Sequence, residues 1–180
     1  METPNQNVSE ENMNPAVLWG LIGGFGLILV SILTYLLNVH SHSSIIFIFY
    51  GILIFSIVMG ITGKKNAETE SYFPFGKAFV TGIIVTAIAS LIGSIYTFIF
   101  YKYIDPELMQ LILEQSKQTI YDQNMSEIEE NQSIRFIEFF VSPAIMAISS
   151  FIVYCIVGLI VSVIASLFVK TNPPENQEIA

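Results

Sequence analysis

Residues 141–169 read VSPAIMAISSFIVYCIVGLIVSVIASLFV, 29 positions without one Asp, Glu, Lys or Arg. A hydrocarbon core of about 30 Å is crossed by roughly 20 apolar helical residues, so this stretch spans it with length left for tilt. Three more uncharged runs precede it, residues 15–37, 44–63 and 78–101, of 23, 20 and 24 positions. All 7 basic and 15 acidic side chains of the 180-residue chain fall outside the four runs. A surface helix of a soluble domain carries a polar face, and these runs carry none. Lipid offers no partners to backbone N–H and C=O groups, which leaves helices or a closed barrel. A barrel needs alternating segments of about ten residues, and the runs do not alternate. The expected fold class is an all-α integral membrane protein with four transmembrane helices.

The charge pattern sets further bounds. The chain is 53% hydrophobic and 12% charged, against roughly 25% charged for a typical soluble domain. Its net charge of −8 comes with no basic cluster. That argues against a nucleic-acid partner and against a polybasic lipid-binding patch. The one cysteine, Cys155, lies inside the last run, where it has no intramolecular disulfide partner and no metal-ligand spacing around it. It reads as a small packing residue. Residues 1–14 hold Glu2, Glu10 and Glu11 and no basic residue, unlike the basic start of a secretory signal. They read as a disordered polar tail, as do residues 171–180 after the Thr171-Asn172-Pro173-Pro174 stretch. Residues 15–170 then form one transmembrane domain.

The connections differ in length. Asn14 is a candidate N-cap with Pro15 at the first helical position, where the missing N–H costs nothing. Six residues, 38–43, join the first two runs, which must form an antiparallel hairpin. The second connection, 64–77, is short and polar, with Pro74 and Gly76 in it. The third, 102–140, has 39 residues and is the sizeable part outside lipid. Four spans put both termini and the second connection on one side, with Lys64, Lys65, Lys77 and Lys170. The other side has Lys102, Lys117 and Arg135, all in the long connection. The adjacent Lys64-Lys65 pair on a short loop marks its side as cytoplasmic. The termini are therefore expected inside and the long connection outside, with eight acidic and three basic residues. Trp19 and Phe25, Tyr35, Tyr96, Tyr101 and Tyr103, and Phe136, Phe139 and Phe140 lie near span ends, as amphipathic rings at headgroup level do.

Within 102–140 two amphipathic helices are expected, an external insert between helices three and four. Asp105-Pro106-Glu107 reads as cap, first position and acidic first turn. Leu108, Leu111, Ile112 and Gln115 fall on one stripe, with Glu114 and Lys117 off it. Ser126 with Glu129 reads as a capping box. Ile128, Ile134 and Ile137 are expected on one face, with Glu127, Glu130 and Glu138 toward water. Both helices are expected to rest on the outer membrane surface or on the top of the bundle, with a break near Pro143.

Few residues here suit catalysis. His40 and His42 could ligate a metal, but catalytic zinc needs a third protein ligand, and a solvated loop accounts for both. Asp122, Glu127, Glu129, Glu130 and Glu138 lack the ligand spacing and central glycine of a calcium loop. Asp105 and Glu107 are better explained by capping than by acid–base work. No ionisable carrier group lies at membrane depth, which argues against ion pumping. No catalytic residue, metal or cofactor is expected.

Small residues recur instead. Gly20 and Gly24 form a GxxxG pair, Gly82, Thr86, Ala89/Ser90, Gly93 and Thr97 recur every three or four positions, and Gly158, Ser162 and Ser166 do the same. Such stripes let helix backbones approach closely in lipid. Packing within the chain is their default use, and a homo-oligomer or another membrane protein is the alternative. No internal repeat appears, so an inverted-repeat transporter has no support.

Phe75-Gly76-Lys77-Ala78-Phe79 leading into Gly82-Ile83, and Ser94-Ile95-Tyr96 followed by Tyr103-Ile104-Asp105-Pro106-Glu107, occur in order with Met125-Ser126, Glu129 and Gly158-Leu159-Ile160. Over roughly Asn14 to Lys170 this resembles the small Bacteroidota membrane proteins of the family called domain of unknown function 4199. The resemblance implies a bacterial inner-membrane protein of four helices with an external helical insert. The family has no established activity, so it assigns no catalytic residue. The expected function is a non-enzymatic protein that packs with itself or another membrane protein and displays an acidic external helical pair. The alternative is a transporter or channel component for a neutral solute. A metal enzyme built on His40, His42 and external carboxylates is a third reading.

Overall fold

A computed structural model describes residues 13–37, 44–68, 72–123 and 125–171. They form six α-helices and no strand: α1 (Pro15–Leu36), α2 (Ile45–Ala67), α3 (Phe75–Ile99), α4 (Pro106–Tyr121), α5 (Glu127–Phe140) and α6 (Pro143–Val169). A π-helical turn, Phe100–Ile104, extends α3. Four helical segments, α1, α2, α3 with its π turn, and α6, are long and apolar enough to cross a membrane. The chain is a multi-pass membrane protein. Residues 1–12 and 172–180 of the two tails lie outside the described residues, as does the whole of the first connection, 38–43, with His40 and His42.

Local sequence explains the helix starts. Asn14 Oδ1 accepts the Ala16 N–H at 3.1 Å, with Pro15 at the first position. The third span departs from the uncharged run, which marks the apolar slab and not the helix ends. The helix begins at Phe75 and continues past Lys102. Lys102 Nζ lies 5.1 Å from the Phe98 ring centroid and 5.3 Å from that of Tyr103. Its long stem can lie along apolar surface while its charge reaches outward. The chain breaks at residues 141–142 between α5 and α6, next to Pro143.

α3 is the hub, in contact with α1, α2 and α6, and its contact with α6 is the most extensive in the fold. Leu53, Ile57, Ile61, Ala78, Val85, Ala89 and Ala165 are buried together with Ala16 and Phe73. This core fills the bundle from its middle to the end where α1 and α3 start and α2 and α6 finish. That end is tied down by polar contacts. Phe73 N–H donates to Thr171 Oγ1 at 2.7 Å, and Thr171 N–H returns a bond to Phe73 O at 3.0 Å. Lys65 Nζ donates to Val169 O at 2.9 Å, placing a cation on the negative end of α6. Lys77 pairs with Glu68 at 3.2 Å. Trp19, near the same end, packs edge-on against Phe55, 5.8 Å between centroids, with Gly63 beside its ring.

The small residues meet other helices of the same chain. Gly82 faces Ser162, and Gly158 faces Thr86, a reciprocal fit between α3 and α6. A Cβ built on Gly20 would lie 2.8 Å from Ile88 Cβ, and one on Gly24 2.7 Å from Ile92 Cβ. Thr86 Oγ1 donates to Gly82 O at 2.9 Å and Ser166 Oγ to Ser162 O at 2.6 Å, so these hydroxyls satisfy themselves on their own helices. Ser162 Oγ is buried with no conventional partner among the described residues. The Gly82 Cα–H that stands in for a Cβ points at it, the geometry of a weak C–H···O contact.

This packing predicts a contrast. Gly158→Ala and Gly82→Ala should each destabilise the detergent-solubilised protein by about 1–3 kcal/mol through overpacking. Gly51→Ala has nothing within 4 Å of the added Cβ, and should be neutral or stabilising by up to about 1 kcal/mol. Denaturant unfolding of the three variants checks this. Equal effects would show that the close approach is not what holds α3 to α6.

Candidate functional site

Away from the packed end the bundle opens. The buried residues of α2 begin only at Leu53, and Ile46, Phe47 and Ile48 near its start are exposed. Between the separated halves lies a cavity of about 580 Å³. α1 lines it with Leu27, Ser31, Thr34 and Tyr35, and α2 with Ile45 and Phe49. Gly93, Tyr96 and Thr97 come from α3 and Phe100 and Tyr101 from the π turn. α6 adds Met146, Ser150 and Tyr154.

α4 supplies the remaining wall through Leu108, Leu111, Ile112 and Gln115. These four have the i, i+3, i+4, i+7 spacing of one helical stripe. The stripe read from sequence therefore faces the bundle, not open water. Met109 and Ile120, which the sequence reading passed over, are the buried residues of α4. At about 100° per residue they both lie to one side of the stripe.

Local geometry positions the aromatic wall. In the π turn the Asp105 N–H reaches back to Phe100 O at 2.9 Å, five residues away. Phe100 is buried there, edge-on to Tyr35 at 5.4 Å and tilted against Tyr96 at 6.0 Å. The extra residue in the turn brings both Phe100 and Tyr101 to the cavity. Such π turns are frequent at functional sites. Gly93 sits at the deep end, where a Cβ would lie 3.2 Å from Leu27 Cδ1 and 3.6 Å from the Tyr154 ring. It was expected as a packing residue, and it also keeps the cavity open.

None of the lining residues is charged. Eight carry hydroxyls. Thr34 Oγ1 donates to Ser31 O at 2.9 Å, Thr97 Oγ1 to Gly93 O at 3.0 Å and Ser150 Oγ to Ala147 O at 2.8 Å. Each keeps lone pairs for a ligand. The Tyr96 hydroxyl is buried and has no partner among the described residues, a state that carries a desolvation penalty until something binds it. The site therefore suits a neutral molecule that forms hydrogen bonds.

α4 and α5 are fixed at their starts by caps. Asp105 Oδ1 accepts the Leu108 N–H at 2.9 Å, and Pro106 is the first residue of α4. Glu129 Oε2 accepts from the Ser126 N–H at 3.2 Å and from its hydroxyl at 2.7 Å. These bonds hold the Glu129 carboxyl below the usual glutamate range. Lys117 pairs with Glu138 across α4 and α5 at 2.6 Å, which raises the Lys117 ammonium. Ile128 does not share the face of Ile134 and Ile137. It is 73% exposed while the other two are half-buried. Six residues correspond to about 240° of turn, so the three cannot lie on one stripe. Among the described residues no three His, Cys, Asp or Glu side chains converge. Cys155 Sγ lies 3.5 Å from Ser90 Oγ, between α6 and α3.

The sequence profile of the family described as Protein of unknown function (DUF4199) matches residues 18–171, and the chain belongs to that family. No curated protein and no solved structure matches the chain. The cap geometry predicts that Asp105→Ala removes about 1 kcal/mol from the start of α4. Limited trypsinolysis at Lys117 should accelerate, and an unchanged cleavage rate would refute the role of the cap. Because the Glu129 carboxyl is depressed in the fold, its contribution to α5 is present above the ordinary glutamate value and lost as pH falls through the lowered one. Amide exchange in the first turn of α5 should therefore rise on acidification. Glu129→Gln should remove that pH step.

Proposed function

We propose that this protein is a non-enzymatic, multi-pass protein of a bacterial inner membrane that takes a neutral solute into the cavity covered by α4, as a component of neutral-solute transport. One observation carries the reading: an uncharged, hydroxyl-lined space of about 580 Å³ bounded by five helices. Its volume is within the range of roughly 300–1,000 Å³ that holds small molecules. An ion would leave its hydration shell and find no counter-charge there. The opposite half of the bundle is filled by Leu53, Ile57, Val85 and their neighbours. That favours a binding site reached from one end over a continuous pore.

In this reading the termini and the connection carrying Lys64 and Lys65 are cytoplasmic, and α4 and α5 form an external insert between the third and fourth spans. The distribution of Lys and Arg supports it. A second reading, display of an acidic helical pair to another membrane protein or to a second copy, is favoured by α5. That helix has no buried residue, and Ile128, Phe136 and Phe139 are exposed on it. The glycine stripes add little to that reading, since Gly20, Gly24, Gly82 and Gly158 are engaged within the chain.

Two measurements test the proposal. In a Cys155→Ala background, Gln123→Cys should react with an impermeant maleimide on intact cells, and Lys64→Cys only after permeabilisation. The reverse pattern would overturn the orientation. In nanodiscs, some members of a panel of neutral solutes should raise the melting temperature, and their charged analogues should not. Leu111→Trp, which fills the cavity, should abolish the response while the protein stays folded. Silence across the panel would sink the binding reading.

A further inference from the structure

α5 carries apolar residues on two faces, and packing within the chain accounts for one of them. Ser133, Ile134 and Ile137 share a side of the helix with Glu130. All four are half-buried, and Ser133 and Ile137 line a shallow groove with Ile120 of α4. Ile128, Gln132, Phe136 and Phe139 have the i, i+4, i+8, i+11 spacing of a second stripe, on the opposite side. Ile128, Phe136 and Phe139 are 73%, 64% and 60% exposed. The acidic residues avoid this stripe. Glu127, Glu130 and Glu138 project from other sides of the helix, and Glu138 is bound to Lys117 of α4. Glu129 borders the stripe, but its carboxylate is held by the Ser126 N–H and hydroxyl. Arg135 borders the other edge. Apolar rings beside one long cation suit the headgroup level of a bilayer, where the rings sink and the guanidinium reaches outward.

The neighbouring chain identifies what lies against the stripe. Two residues, 141–142, separate α5 from α6. Ile148, Ile152, Ile156 and Leu159 of α6 are exposed at the same i, i+4, i+8, i+11 spacing, on a helix long and apolar enough to cross the membrane. The uncharged run that contains α6 starts at residue 141, which puts Phe139 and Phe140 at the rim of the apolar slab. Phe136, Phe139 and Phe140 form one cluster at that rim, with centroids 4.4 Å apart for Phe136 and Phe140 and 5.4 Å for Phe139 and Phe140. The exposed stripe of α5 therefore begins where the lipid-facing surface of α6 ends.

We infer that α5 is an interfacial helix, its stripe of Ile128, Gln132, Phe136 and Phe139 seated in the headgroup layer of the bilayer that the long helices cross. Lipid, and not a second protein, covers this face. α4 turns its stripe to the cavity and α5 turns its own to the membrane. Burial of the apolar side chains holds the seat while the acidic side chains stay in water. The seat is independent of what the cavity binds.

The test uses the full chain with Cys155→Ala, in nanodiscs of phosphatidylcholine and phosphatidylglycerol. Ile128→Cys, Gln132→Cys, Phe136→Cys and Phe139→Cys each carry a nitroxide, and Glu127→Cys and Asn131→Cys serve as water-facing controls. Labels on the stripe should be relaxed more by oxygen, which dissolves in lipid, than by a water-soluble nickel chelate. Their depth should be about 5–10 Å into the boundary between headgroups and chains. The controls should show the reverse preference. Ile128→Cys and Gln132→Cys stand as the independent check if a change in the Phe cluster disturbs the fold. Leaving out phosphatidylglycerol should not alter the pattern, because apolar burial and not the charge of Arg135 holds the helix; loss of the pattern would overturn the apolar seat. Nickel access at every position would put α5 in water and overturn it as well. Exclusion of both reagents from the stripe would reveal a partner protein or a second copy there, and would overturn it likewise.

Discussion

Helices in lipid gain nothing by hiding apolar side chains from one another, because the lipid tails are equally apolar. Association rests on close packing and on polar contacts. In this chain that requirement is met where α3 crosses α6. Gly82 receives Ser162 and Gly158 receives Thr86, so each helix gives up a side chain where the other projects one. Thr86 settles its hydroxyl on the Gly82 carbonyl of its own helix, whereas Ser162 Oγ stays buried against Gly82 with no conventional partner among the described residues. With α3 fixed to α6, the Ile88 and Ile92 side chains of α3 are presented to Gly20 and Gly24 of α1. α2 then closes the core with Leu53, Ile57 and Ile61.

The same arrangement explains the opening at the other end. Two helices held at the distance glycine permits must diverge where the residues between them become large. Toward the far end of the bundle those residues are Phe49, Tyr96, Phe100, Met146 and Tyr154. They line the cavity there, and Gly93 keeps its floor clear. The π turn turns Phe100 and Tyr101 toward that space without ending the helix. α4 then folds back and turns its apolar stripe onto the gap. Packed half and open half are thus two results of one distribution of side-chain volume along the four long helices.

What was legible in sequence was local. The uncharged runs gave the four long helices because the absence of charge is a property of each segment alone. The caps at Asn14, Asp105 and Ser126 were legible for the same reason, since a cap and its partner are two or three residues apart. The α4 stripe was visible too, but what it faces was not. The cavity draws on five helices, and its hydroxyls look in sequence like the small polar residues of a packing stripe. Thr86 and Thr97 sit on one periodic series, yet one packs against Gly158 and the other lines the cavity. Only the separation of the helices tells them apart. The π turn has no proline or glycine to announce it, and the contacts of Trp19 could not be read from its distance to the span end. Its packing depends on Gly60 and Gly63, which are distant in sequence.

The cavity also bears on why the hydroxyls are tyrosine, threonine and serine and not ionisable groups. A threonine or serine on a helix can settle its donor on the preceding turn and wait at membrane depth at little expense. A phenol has no such recourse, because its O–H lies too far from its own backbone. Tyr96 is therefore the one lining residue that combines burial with an unmet donor, a penalty of roughly 1–3 kcal/mol in the empty state. A phenylalanine would fill the same volume against Phe100 without that penalty.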